Sequence, residues 1–179
     1  TGTPKGVMLT HDNLLISART TAHFRRMTPS DKIYVVLPIS HIVGISLLIM
    51  TLMVGGTVRL VSKYDPAALA RAITEEGITI LNGVPATYQR LLEYKAVAGL
   101  KQLDRGSLRL IAVAGAPLDL DLKSRVEQEF GLPLDTLRYR WAAMNPCVAD
   151  QSPDQDYLGA EPLDAALADR FALILDVGD

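Results

Sequence analysis

Four short apolar runs constrain this chain more than any other feature. They are Ile33 to Leu37, Thr57 to Val61, Ile78 to Leu81 and Leu108 to Val113. Each is predominantly apolar rather than alternating, as expected of strands covered on both faces. Helix signals fill the gaps between them. Thr10 is placed to cap a helix to about Arg25, with Leu14, Leu15 and Ala18 on one face. A second helix is expected over Ile42–Val54, stopped by Gly55-Gly56. Asp65-Pro66 opens a third, ended by Gly77. Pro85 opens a fourth to about Ala96, and Pro117 a fifth to about Phe130. The pattern predicts an α/β fold: a mostly parallel sheet with helices on both faces.

Bulk properties narrow the function classes. The 179 residues are 49% hydrophobic and 21% charged, ordinary for a globular domain with a real core. A net charge of −2 gives no electrostatic case for nucleic acid. The apolar Ile42–Val54 stretch is shorter than the roughly 20 residues that span a bilayer. Cys147 is the only cysteine, so an intrachain disulfide is impossible and a reducing, cytoplasmic setting is expected. The polar N-terminus carries no signal-peptide pattern. No metal-ligand spacing links His11, His23 and His41.

The chemistry-bearing motifs begin at residue 1. Thr1-Gly2-Thr3-Pro4-Lys5-Gly6 is a Gly-containing turn with hydroxyls and one ammonium, suited to a phosphate. It is not a Walker loop, because Lys5 is followed by Gly6 and Val7. No initiator Met or strand precedes it, which suggests a fragment. Further along come Val7-Met8-Leu9-Thr10-His11-Asp12-Asn13-Leu14, Leu37-Pro38-Ile39-Ser40-His41-Ile42-Val43-Gly44, Gly83-Val84-Pro85-Ala86-Thr87 and Leu108-Arg109 through Gly115-Ala116-Pro117-Leu118. Each alone also reads as an ordinary turn or helix start.

Together, and in this order, they resemble the adenylate-forming superfamily of acyl-CoA synthetases, luciferases and peptide-synthetase adenylation domains, over about residues 1–136. The resemblance implies a two-step reaction. A carboxylic acid attacks ATP to give an acyl-adenylate and pyrophosphate, and coenzyme A takes the acyl group. It implies phosphate contacts from Thr1, Gly2, Thr3, Lys5 and Gly6. His41 becomes the catalytic residue beside the carboxylate, and Gly115, Ala116 and Pro117 the wall under adenine. ATP with Mg²⁺ is the implied cofactor, and a small carboxylic acid the implied partner.

The pattern breaks after Leu118. The family's Y-G-x-T-E is met by Tyr139-Arg140-Trp141-Ala142-Ala143, where the Thr and the Mg²⁺-binding Glu are both Ala. The ribose-binding Asp segment and the C-terminal domain with its catalytic Lys are not found. The tail, about 138–177, resembles instead part of a AAA+ ATPase, with Asn145 as sensor and Arg170 as arginine finger. The expectation is two partial domains, 1–136 and 137–179, in an apparent chimera, the sheet incomplete relative to either parent family. The leading functional expectation is a ligase fragment without turnover. Its alternatives are a AAA+ component and a non-catalytic α/β scaffold or nucleotide-binding module. Uncovered sheet edges and apolar helix faces predict self-association.

Overall fold

The structure, a computed structural model, describes residues 8–135. Helices and strands alternate through them: α1 (His11–Phe24), β1 (Lys32–Val35), α2 (Ile42–Met53), β2 (Thr57–Leu60), α3 (Pro66–Glu75), β3 (Ile80–Gly83), α4 (Pro85–Val97), β4 (Leu110–Val113), α5 (Leu120–Phe130) and β5 (Leu134–Asp135). The strands form one parallel sheet in the order β2-β1-β3-β4-β5. The expected α/β fold with a parallel sheet is the fold observed.

Side-chain alternation decides which helices cover which face. Ile33, Val35 and Ile80 join Ala18 and Ala22 of α1 and Leu47 and Met50 of α2 in one apolar cluster. Tyr34, Leu81 and Ile111 point the other way, into a larger cluster with Leu69 and Ile73 of α3, Tyr88 and Leu91 of α4, and Val126 and Phe130 of α5. Burial on both faces is why β1, β3 and β4 read as apolar runs, whereas β2, at the edge of the sheet, is mostly exposed. The buried Tyr88 hydroxyl donates to Leu81 O at 3.2 Å and Ala112 O at 2.6 Å, tying α4 across β3 and β4.

Local chemistry sets the helix ends. Thr10 Oγ1 accepts from Asn13 N–H and Asn13 Oδ1 from Thr10 N–H, a reciprocal box that fixes the start of α1. Asp65 caps α3 through Ala67 N–H, with Pro66 at the first helical position. Gly77 then takes a left-handed φ of 71°.

Several expected boundaries move. β3 starts at Ile80 rather than Ile78, and β4 at Leu110 rather than Leu108. The intervening backbone is engaged: Thr79 N–H donates to Lys32 O, and Arg109 N–H donates to Thr79 O. α5 starts at Leu120, not Pro117, because Leu118 is pinned against the larger cluster before the chain turns helical. α2 is apolar on most sides, yet only part of its surface is covered. Gly44, Leu47, Met50 and Thr51 are buried, while Ile42, Leu52 and Met53 are exposed among the described residues. No described helix is long and apolar enough to cross a membrane.

An ion pair closes the N-terminal edge of the sheet. Arg109 Nε donates to Asp31 Oδ1 at 2.8 Å and Nη2 to Oδ2 at 2.7 Å. Arg109 also donates to the carbonyls of Arg25 and Arg26 after α1. Asp31 further accepts from Thr28 N–H and from the Thr79 hydroxyl. Burial alone would raise the Asp31 carboxyl, but these donors, Arg109 foremost, outweigh it and hold its pKa down to about 2.

Candidate functional site

The strand order reverses at β1. The chain leaves β1 outward through α2 to β2, then returns through α3 to β3 on the other side of β1. Parallel sheets bind ligands outside the carboxyl ends of strands where such a reversal occurs. Here that edge carries three loops: residues 36–41 after β1, Val84 after β3, and residues 114–119 after β4. Three of the sequence elements singled out above fall on them.

His41 is the cap of α2. Its Nδ1 accepts from Val43 N–H at 3.2 Å, and its own N–H donates to Pro38 O at 3.0 Å. With Nδ1 accepting, a neutral imidazole carries its proton on Nε2, which is left as a donor on an exposed ring. Sequence reasoning placed His41 on the loop after β1; the structure places it at the helix start, where the backbone orients the ring. Gly44 makes this possible. A Cβ there would lie 2.1 Å from Pro38 O and 2.9 Å from Leu37 O, so only glycine lets the first turn of α2 press against the loop.

The second element is built around another close approach. A Cβ on Gly83 would meet Thr87 Cβ at 2.8 Å. The buried Thr87 accepts from Val84 N–H through its Oγ1 at 3.3 Å, and Tyr64 donates to its carbonyl at 2.6 Å. Gly83 thus seats the first turn of α4 on the end of β3.

Gly115, Ala116 and Pro117 are exposed at the end of β4. Ala114 N–H donates to Gly83 O at 3.1 Å, and a Cβ on Gly115 would sit 3.4 Å from Val84 Cγ1, so this loop lies against the one after β3. Gly115 has φ 84°, a conformation that glycine tolerates and that leaves bare backbone facing outward. Among the described residues no three His, Cys, Asp or Glu gather in a way that could hold a metal ion.

Thr1, Gly2, Thr3, Lys5 and Gly6 lie outside the described residues, as do Asn145 and Arg170. His11 and His23 are exposed on α1, as expected. Sequence reasoning missed Asn82, the penultimate residue of β3. It is buried, and its Nδ2 has no hydrogen-bond partner among the described residues. The only sequence signal is an amide inside an apolar run. A cavity of about 560 Å³ between α4 and α5, lined by Lys95, Lys101, Arg125 and Glu129, shares no residue with the three loops.

Comparison with known proteins identifies the family. The AMP-binding enzyme family model matches residues 1–137, and the chain belongs to that family. It is similar to a feruloyl-CoA synthase of Amycolatopsis sp, 35% identical over 126 residues, covering 70% of this chain and 25% of that protein. It is similar to the acyl-CoA ligase sidI of Beauveria bassiana, 32% identical over 148 residues, covering 82% of this chain and 25% of that protein. Among solved structures it resembles the O-succinylbenzoate coenzyme A synthetase of Bacillus subtilis in complex with AMP, with a TM-score of 0.66, 29% identity and coverage of 75% of this chain and 26% of that one. The chain spans about a quarter of the length of these relatives.

The expected AAA+ tail and two-parent chimera find no support. An acyl-CoA ligase alignment covering 82% of 179 residues necessarily runs past residue 136, where the sequence suggested a join. Short pieces such as Asn145-Pro146 and Asp169-Arg170-Phe171 recur easily by chance, and that is the physical weakness of the AAA+ reading.

Proposed function

We propose that this chain supplies the acid-facing and adenine-facing walls of an ATP-dependent carboxylate–CoA ligase. One observation carries the reading. His41, the Gly83–Val84 turn and the Gly115–Pro117 wall fall at the carboxyl ends of three neighbouring strands, β1, β3 and β4. In this reading the free Nε2 of His41 donates toward the carboxylate, and adenine lies on the bare backbone at Gly115. Thr1, Gly2, Thr3, Lys5 and Gly6 hold the phosphates. Preorganised donors of this kind matter because an anion must approach an anion. ATP with Mg²⁺ and coenzyme A are the co-reactants the family implies, and the setting is cytoplasmic.

We also infer that these 179 residues do not complete adenylation. Ala143 stands where the family has its Mg²⁺ carboxylate, and a methyl group offers no oxygen to a hard ion. Titration with AMP, followed by amide NMR, tests the first part: shifts at Gly115 and Ala116 are expected, and their absence refutes it. Pyrophosphate exchange with fatty and aryl acids tests the second. No exchange is expected, and robust exchange by the purified chain overturns the claim of inactivity.

A further inference from the structure

We infer that Asn82 is a specificity-determining residue that selects acids bearing a second hydrogen-bond acceptor, a carbonyl, ether or hydroxyl oxygen, along their chain. The inference rests on the ligase reading above and adds the class of acid to it.

Asn82 lies in β3 beside Ala112 of β4, next to Gly83 at the ligand-facing edge. Strand alternation puts its side chain on the face of Ile80, the face covered by α1 and α2. That is also the face whose helix His41 caps. Asn82 is 6% exposed, and among the described residues its Nδ2 has no partner. Buried polar groups are nearly always hydrogen-bonded, so an orphan donor calls for a physical account. The apolar side chains packed on this face include Ile33, Val35, Leu47, Met50 and Ile80. A ligand oxygen entering past His41 would satisfy the donor. An all-methylene chain would leave it unpaired, which is how a polar group inside an apolar site discriminates.

The test uses isotope-labelled protein and a ladder of straight-chain oxo acids, the carbonyl at successive positions, each beside the alkanoate of equal length. The Asn82 side-chain amide signal is identified by its loss in Asn82→Leu. At one rung the oxo acid should shift this signal and bind about tenfold or more tighter than its alkanoate. In Asn82→Leu the preference should fall to about unity. An amide that no oxo acid moves overturns the inference, as does a preference that survives in Asn82→Leu. If that variant does not fold, the near-isosteric Asn82→Asp identifies the signal instead, and its movement in the wild type decides. AMP shifts at Gly115 report the ligase reading separately. A moving Asn82 amide with a silent Gly115 contradicts the ligase reading and leaves the acceptor preference standing; the reverse pattern removes only the acceptor preference.

Discussion

Replacing Gly44 with alanine should damage the site through a single methyl group. The added Cβ would start 2.1 Å from Pro38 O, 2.6 Å from Pro38 C and 2.9 Å from Leu37 O, all backbone atoms. No rotamer change relieves such a clash, so the loop after β1 and the first turn of α2 must separate. Overpacking of this kind costs about 1–3 kcal/mol. Separation also strains the His41 N–H bond to Pro38 O, a further loss of about 1 kcal/mol. The expected destabilisation is about 2–4 kcal/mol in urea unfolding, with a displaced His41 amide signal. Gly77→Ala is the control for backbone strain without a clash. Nothing lies within 4 Å of its Cβ position, but φ is 71°. Its cost should be about 1–2 kcal/mol, with His41 unmoved. A Gly44→Ala protein within about 0.5 kcal/mol of wild type would refute the claim that glycine is there for close approach.

Other perturbations probe the frame. The Asp31 carboxyl is held down from 3.8 to about 2, so its contribution is present above the unfolded value and lost as pH falls through about 2. Asp31→Asn should therefore lower stability at neutral pH by about 1–2 kcal/mol, reduced by water around the half-exposed Arg109, and flatten the acid limb of the stability profile; an unchanged profile would contradict the pairing. Tyr88→Phe removes both bonds bridging β3 and β4 and should cost about 1–2 kcal/mol in denaturant unfolding, with a loss below about 0.3 kcal/mol speaking against the bridge. β2 is an edge strand with Leu60 exposed, so the protein should self-associate with rising concentration and Leu60→Lys should suppress it. Light scattering that finds a clean monomer at all concentrations would remove that expectation.

The sheet was legible in the sequence because burial on both faces leaves runs that need no partner to be recognised. Helix starts were legible where a polar cap or a proline marks them, as at Thr10, Asp65-Pro66 and Pro85. β5 was not, because two residues make no pattern. Nor was the Asp31–Arg109 pair: the partners are 78 residues apart, and nothing local to either announces the other. The candidate site divides the same way. Its glycines stand out as motif letters, but why Gly44 and Gly83 are needed emerges only from Pro38 and Thr87 pressing against them. His41 was visible as a residue type, while its capping bond and free Nε2 depend on helix geometry. Asn82 was passed over because an amide in a strand looks tolerable until its Nδ2 proves buried and unpartnered among the described residues.

The central claim is that the carboxyl ends of β1, β3 and β4 form one ligand crevice. A non-hydrolysable acyl-adenylate mimic titrated into isotope-labelled protein addresses it directly. The largest amide shifts should fall at His41, Val84, Gly115 and Ala116, with Lys95, Lys101 and Arg125 silent. Shifts concentrated around the cavity between α4 and α5, or no saturable shifts at the three loops, would contradict it.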